Sequence, residues 1–289
     1  MKKVTVKIPA KINLTLDITG VKNGYHELNS LVASINIYDV ITVCARSDGK
    51  INLTMKGLPV DCPIIENNAY KAAKLFIDTF ETFGVDITVM KNIPVAGGLG
   101  GSSADIAGVL NALNILYDIN GDMSPLASDL GSDSTYMLNG GFAVLKGRGD
   151  EVDHIGADKK LYVLLITDNA VITSRNCYKK FDENKKMYKS CTAEATTAIY
   201  EGDVDKLFTL LKNDLTESAS VFAPNVKYNL YNLKKAGAQT ALLAGSGPTC
   251  YGLFKDKKER DCAYKKLVGL YGKNLIKAQT VVKDKDKFI

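Results

Sequence analysis

Apolar and polar residues alternate at Val4, Val6 and Ile8, and again at Leu14, Leu16 and Ile18, the two-residue period of strands with one buried face. Asn23-Gly24 follows as a turn signal. Shorter strand-like runs stand at Ile41 to Val43 and Ile51 to Met55, and the alternation returns at Val85, Ile87 and Val89. Between them, Glu66-Asn67-Asn68 can cap a helix covering Ala69 to Phe83. The period then changes to three and four at Ile106, Val109, Leu110, Leu113, Leu116 and Tyr117, which predicts an amphipathic helix. In the second half, Leu161 to Thr167 is continuously apolar, as in a strand buried on both faces. Helices are expected over Val204 to Ala219, Pro224 to Lys235 and Lys257 to Leu270. Strands are expected at Ala241 to Leu243, Tyr251 to Phe254 and Ala278 to Val282. Strands and helices alternating in this way predict a two-layer α+β fold.

The stretch joining the strand at Val85 to the helix at Ile106 is Pro94-Val95-Ala96-Gly97-Gly98-Leu99-Gly100-Gly101-Ser102-Ser103-Ala104-Asp105. Glycines allow backbone N–H groups to approach a ligand without a Cβ in the way. The helix start that follows has unpaired N–H groups and a partial positive charge. Together they make an anion site to which Ser102 and Ser103 can add hydroxyls, for phosphate or a metal ion. The plainer alternative is a glycine-rich turn with a serine cap. No Lys follows the glycines as a Walker A loop needs, and Ser103 stands where the dinucleotide fingerprint needs its third Gly.

Composition narrows the class. The 289 residues are 46% hydrophobic and 24% charged, as in a globular enzyme of one large or two ordinary domains. A net charge of +5 suits small anionic substrates, with basic residues thickening only at Lys283, Lys285 and Lys287. Basic residues are not clustered with aromatics, so no nucleic-acid partner is expected. Six cysteines without a Cys-x-x-Cys pair, and only two histidines, read as reduced thiols of a cytoplasmic protein. No apolar stretch has the length of a signal or membrane span, so no membrane partner is expected.

Pro94, three residues and then Gly98-Leu99-Gly100 resemble the second motif of the GHMP kinases, which wraps the phosphates of ATP. Ala10-Lys11-Ile12-Asn13-Leu14 followed by Gly24-Tyr25-His26-Glu27-Leu28 resembles the opening of one branch of that family. That branch phosphorylates 4-diphosphocytidyl-2-C-methyl-D-erythritol, on the methylerythritol phosphate route to isoprenoids. The resemblance continues at Leu130-Gly131-Ser132-Asp133, at Gly140-Gly141 and at Gly245-Ser246-Gly247-Pro248-Thr249, and thins between Lys179 and Leu215.

The resemblance implies a two-domain GHMP kinase fold. Residues 1–155 would be an ATP-binding domain like the second domain of ribosomal protein S5, and residues 156–289 a ferredoxin-like domain. It implies ATP and Mg2+ as cofactors and a cytidylyl sugar-alcohol diphosphate as substrate. Lys11 and Asp133 match the catalytic pair, and Pro94 to Ala104 match the ATP loop. Tyr25 and Tyr178 match the rings that sandwich the cytosine, His26 its edge contact, and Ser174 a polar neighbour. Asn13 is close enough in sequence to Lys11 to line the pocket. Two departures stand out: Ser134-Thr135-Tyr136 after Asp133 replaces a usual Val-Pro-Phe, and Ala104 stands where some relatives carry a second Ser. The metal ligands are left open, as is the choice between monomer and homodimer. A homoserine- or mevalonate-type kinase would not need Tyr25, His26 and Tyr178 together, and a non-catalytic binding protein would not need Lys11 and Asp133.

Overall fold

The structure, a computed structural model, describes residues 2–157, 159–184 and 189–281. The chain opens with strands β1 (Lys3–Asn13), β2 (Thr15–Lys22), β3 (Tyr25–Ala45) and β4 (Ile51–Gly57), then helix α1 (Asn68–Phe80) and β5 (Val85–Lys91). The glycine loop delivers α2 (Gly101–Leu116), followed by α3 (Ser124–Leu130), α4 (Ser134–Asn139), β6 (Phe142–Lys146) and β7 (Glu151–Ile155). The second half runs β8 (Tyr162–Ile166), α5 (Ser174–Asn184), α6 (Thr192–Glu201), α7 (Val204–Leu210), β9 (Lys212–Asn213), α8 (Thr216–Phe222) and α9 (Asn225–Ala236). It closes with β10 (Thr240–Leu243), β11 (Cys250–Phe254), α10 (Lys257–Tyr271) and β12 (Leu275–Gln279).

The Asn23-Gly24 turn takes positive φ at both residues, 51° and 78°, which matches the twist of the β2–β3 hairpin and pairs Lys22 with Tyr25. Strand β3, 21 residues long, is the spine of the first sheet, pairing with β1, β2, β5 and β6 in turn. Its middle, Ser30 to Ile35, is buried throughout, so the sequence there carries no alternation and only the Ile41–Val43 end was legible. Helix α2 lies on β1 and β3 and supplies much of the core, and β4 and β5 run parallel across the α1 crossover. Asn67 Oδ1 caps α1 by accepting the Ala69 N–H, as the sequence predicts. The helix stops at Phe80, short of the expected Phe83, where Glu81 turns left-handed to feed β5.

In the second sheet the order is β10-β11-β8-β12, antiparallel throughout. With helices between β8 and β10 and between β11 and β12, this is a βαββαβ, ferredoxin-like arrangement. Central β8 is buried on both faces as its unbroken apolar run requires. Val163 and Leu165 join the core shared with β1, β3 and α2, while Leu164 and Ile166 join the core under α9 and α10. The α+β class and the ferredoxin-like second half expected from the sequence are the ones observed.

The single helix expected over Val204 to Ala219 is broken into α7 and α8 by β9. Lys212 and Asn213 pair in parallel with Thr15 and Leu16 of β2, and Asn213 Nδ2 donates to the carbonyls of Leu243 and Gly245. These tertiary bonds override a helical period. The expected last strand ends at Gln279; its final residue, Val282, and the basic Lys283, Lys285 and Lys287 lie outside the described residues.

Candidate active site

The glycine loop is held at both ends by a buried charge cluster that the sequence reading missed. Lys91 Nζ, at the end of β5, lies 2.5 Å from Asp39 Oδ2 and 2.9 Å from Asp105 Oδ2, and donates to the Gly101 carbonyl at 3.1 Å. Asp39 Oδ1 accepts the N–H groups of Asn92 and Ile93, at 2.7 and 2.9 Å. One ammonium thus ties the strand leading into the loop to the helix leaving it. Burial pushes the Asp105 carboxyl up to about 7, with the Lys91 charge opposing the rise. The only sequence signal was a charged residue interrupting each apolar run.

Between these anchors, Ala96, Gly98 and Gly100 take positive φ, and Gly100 precedes α2 without any side-chain cap. At Gly98 a Cβ would stand 2.0 Å from the Ala244 carbonyl oxygen, so only glycine lets the loop seat against the 245–248 turn. The uncapped N–H groups of α2 open on a cavity of about 410 Å³ lined by Pro94 to Ser103, the start of α1, and Asp133. Ser102 and Ser103 stand in the first helical turn, and Asn68 Nδ2 donates to Ser102 Oγ. Ala104 is fully buried in the core behind them.

A second cavity, of about 290 Å³, shares Gly98, Gly100, Ser103 and Asp133 with the first. Here Lys11 Nζ lies 3.1 Å from Asp133 Oδ2 and donates to Asn13 Oδ1 at 2.8 Å. Asn13 Nδ2 donates in turn to Ser30 Oγ, and Lys11 N donates to the Leu99 carbonyl, so β1 is stitched to the loop at the point where its side chains matter. Lys11 and Asn13 are buried. Asp133 precedes α4, whose altered sequence is accommodated in an unequal way. Tyr136 hydroxyl bonds Ser34 Oγ and the Gly141 carbonyl, whereas the hydroxyls of Ser134 and Thr135 are buried without a partner among the described residues.

A third cavity, of about 650 Å³, continues past Ser174 and Tyr178 to Tyr25 and His26. Ser174 and Tyr178 are one turn apart on α5 and so share a face. Ser174 Oγ is 3.1 Å from Ser246 Oγ, which brings the 245–248 turn into the same cleft. His26 stacks on Tyr178 with ring centroids 4.7 Å apart, and its Nε2 is 2.7 Å from Asp182 Oδ1. Tyr25 is 57% exposed and carries the Arg148 guanidinium over its ring at 5.0 Å. The structure therefore brings Tyr25 and Tyr178 to one cavity, with an imidazole on one ring and a guanidinium on the other. Arg148 went unread in the sequence; the signal available was the Gly147-Arg148-Gly149 turn between two strands.

The arrangement suits transfer of a phosphoryl group. The uncapped N–H groups at the first cavity are able to bind a polyphosphate, and a hydroxyl entering the second would meet a carboxylate and an ammonium where the two cavities join.

Residues 67–144 match the family model for the GHMP kinases N terminal domain, and residues 195–273 that for the GHMP kinases C terminal. A 4-diphosphocytidyl-2-C-methyl-D-erythritol kinase of Cutibacterium acnes is 36% identical over 88% of this chain and 86% of its own. The enzyme of that name from Clostridium beijerinckii is 32% identical over 92% of this chain and 96% of its own. A crystal structure of 4-(cytidine 5'-diphospho)-2C-methyl-D-erythritol kinase superposes with a TM-score of 0.81 at 26% identity, covering 96% of this chain and 99% of that one. A homoserine kinase from Cytophaga hutchinsonii, at 18% identity and a TM-score of 0.74 over 98% and 95% of the two chains, shares the fold. Identity at this level along most of both chains, with both family domains matched, makes this protein a member of the GHMP kinases.

Proposed function

We propose that this kinase transfers the γ-phosphoryl group of ATP to the C2 hydroxyl of 4-diphosphocytidyl-2-C-methyl-D-erythritol, a step of isoprenoid biosynthesis. The observation that carries the reading is the continuity of the cleft. The loop cavity meets Lys11 and Asp133, and the same cleft runs on to Tyr25, His26 and Tyr178. Asp133 orients or deprotonates the acceptor hydroxyl, and Lys11 neutralises charge on that hydroxyl and on the phosphoryl group in transit. Pro94 to Ser103 cradle the ATP phosphates, with Ala104 packed behind them. Tyr25 and Tyr178 offer faces to the base and His26 its edge, with Asn13 and Ser174 lining the path between.

Magnesium accompanies ATP in this reading. The oxygen donors at the loop cavity, the hydroxyls of Ser102 and Ser103 and the Asp133 carboxylate, fit a hard cation that keeps waters and phosphate oxygens as its other ligands. The ion would offset charge on the phosphates. We read the chain as two domains, 1–155 and 156–289; the four-stranded sheet drawn wholly from the second half and the family matches on either side of that boundary support the reading, while β9 of the second half joins the first sheet. Among the described residues no helix is long and apolar enough to cross a membrane, and the proposed working place is the cytoplasm, as monomer or homodimer. A coupled assay with ATP tests the function. Turnover should be confined to the cytidylyl substrate, and comparable turnover of mevalonate or homoserine overturns the reading.

A further inference from the structure

A substrate that reaches from Asp133 to the Tyr25–Tyr178 cavity has to carry its linker through the neck where the two cavities join. Leu28, Ser132, Arg148, Ser174 and Tyr178 line both. Among these, Arg148 alone bears a charge. The proposed substrate places a diphosphate between its base and its acceptor hydroxyl, so the neck is where an anion on each phosphate would lie.

We propose that Arg148 reads this diphosphate, a positioning and specificity residue that sets the distance between the clamped base and Asp133. The assignment rests on the cytidylyl-diphosphate reading above and deepens it. Three observations support it. The turn carrying Arg148 runs beside Asp133. Gly147 and Gly149 take φ of 61° and 96°, and the site of the missing Gly149 Cβ is 3.8 Å from Asp133 Oδ1. Gly147 O accepts from Leu28 N of β3 at 2.8 Å, and Gly149 N donates to Lys146 O at 2.9 Å, so the turn is closed on itself and tied to β3. The guanidinium is also lightly engaged. Its carboxylate contact, Nη2 to Asp150 Oδ2, is 3.5 Å long, whereas Arg46 meets Asp48 and Asp86 at 2.7 and 2.6 Å. Among the described residues its other guanidinium N–H groups meet no acceptor, which leaves them to form the forked bonds that guanidinium makes with phosphate. Finally, it lies over the face of Tyr25, so one residue touches the base end and the reacting end of the cleft together.

The test is calorimetry on the full chain, with the loop cavity saturated by a non-hydrolysable ATP analogue and with cytidine and CDP as probes. The wild-type protein should bind CDP about tenfold or more tighter than cytidine, the scale of hydrogen bonds to charged groups. Arg148→Ala should lose most of that gain while keeping its cytidine affinity and its melting temperature. Arg148→Lys should keep part of the gain, as a point charge without the fork. KM for the cytidylyl substrate should rise in step, with kcat and KM for ATP nearly unmoved. A CDP gain that survives in Arg148→Ala overturns the assignment. So does an equal weakening of cytidine and CDP, which would leave Arg148 as a support for Tyr25. Wild-type protein that binds cytidine no better than adenosine defeats the base reading itself, and this assignment with it.

Discussion

His26 lies against Tyr178, with ring centroids 4.7 Å apart and planes 22° apart, and Asp182 on the same helix as Tyr178 holds its Nε2 at 2.7 Å. A strand residue near the N-terminus thereby covers one face of a helix residue from the second half. A base that stacks on Tyr178 takes the other face or displaces the imidazole. The rings proposed to receive the base are thus already in contact with the protein's own nitrogen groups.

Removing the Tyr178 ring should separate base binding from ATP binding. Each base–aromatic contact is worth about 1–3 kcal/mol by alanine substitution, so Tyr178→Ala should raise KM for the cytidylyl substrate about tenfold or more. KM for ATP should hardly move, because the loop cavity does not include Tyr178. Steady-state kinetics for both substrates, beside a melting curve, check this. Equal losses for the two substrates would mean that Tyr178 only fills space.

At the junction of the cavities, Asp133→Asn keeps the shape and removes the charge beside Lys11. Its kcat should fall by about 10²-fold or more, the usual scale for a group that moves or holds a proton, with KM changing much less. Near-normal turnover would take Asp133 out of the chemistry.

The loop can be tested where it touches the second half of the chain. In Gly98→Ala the added methyl meets the Ala244 carbonyl, a backbone group that cannot swing aside, at a positive φ that L residues avoid. The conformational penalty alone is about 1–2 kcal/mol, which should lower the melting temperature by a few degrees and raise KM for ATP. Unchanged ATP affinity in the folded variant would reduce the loop to a turn.

Asp17 offers a pH test of how the two halves are joined. Its carboxylate accepts from Ser190 Oγ, from the N–H groups of Cys191 and Thr192 and from Thr192 Oγ1, and it pairs with Lys212 Nζ at 3.0 Å. Burial alone would push this carboxyl up. The hydrogen bonds from Ser190, Thr192, Lys212 and Cys191 outweigh it and hold the carboxyl at about 2. The folded value lies below the unfolded one, so the stabilisation is present above about pH 4 and is lost as pH falls toward 2. Asp17→Asn should cost about 2–3 kcal/mol at pH 7, and the gap to the wild type should close between about pH 5 and 2. Urea melts across that range measure it, and a gap independent of pH would refute the linkage.

Local features were legible because their causes lie within a few residues. The alternation of β1, the Asn23-Gly24 hairpin, the Asn67 cap and the double-sided burial of β8 each follow from neighbours in the chain. So does a glycine loop opening an uncapped helix. Lys11 and Asp133 were legible only through motif resemblance, since the two meet each other only across the fold.

Other features depended on partners far along the chain. Only the folded protein decided that β3 would run for 21 residues, because its middle is buried on both faces and loses its period. The break at Lys212–Asn213 is similar: parallel pairing to Thr15 and Leu16 outweighs a helical pattern that looked continuous. Lys91, Asp39 and Asp105 are three unremarkable charges in sequence and become one buried anchor when β3, β5 and α2 converge. Arg148 acquires its place over Tyr25 in the same way. Side-chain period and backbone propensity act over one or two turns. Which face is covered twice, and which charge meets which ring, is set by long-range packing that no local pattern records.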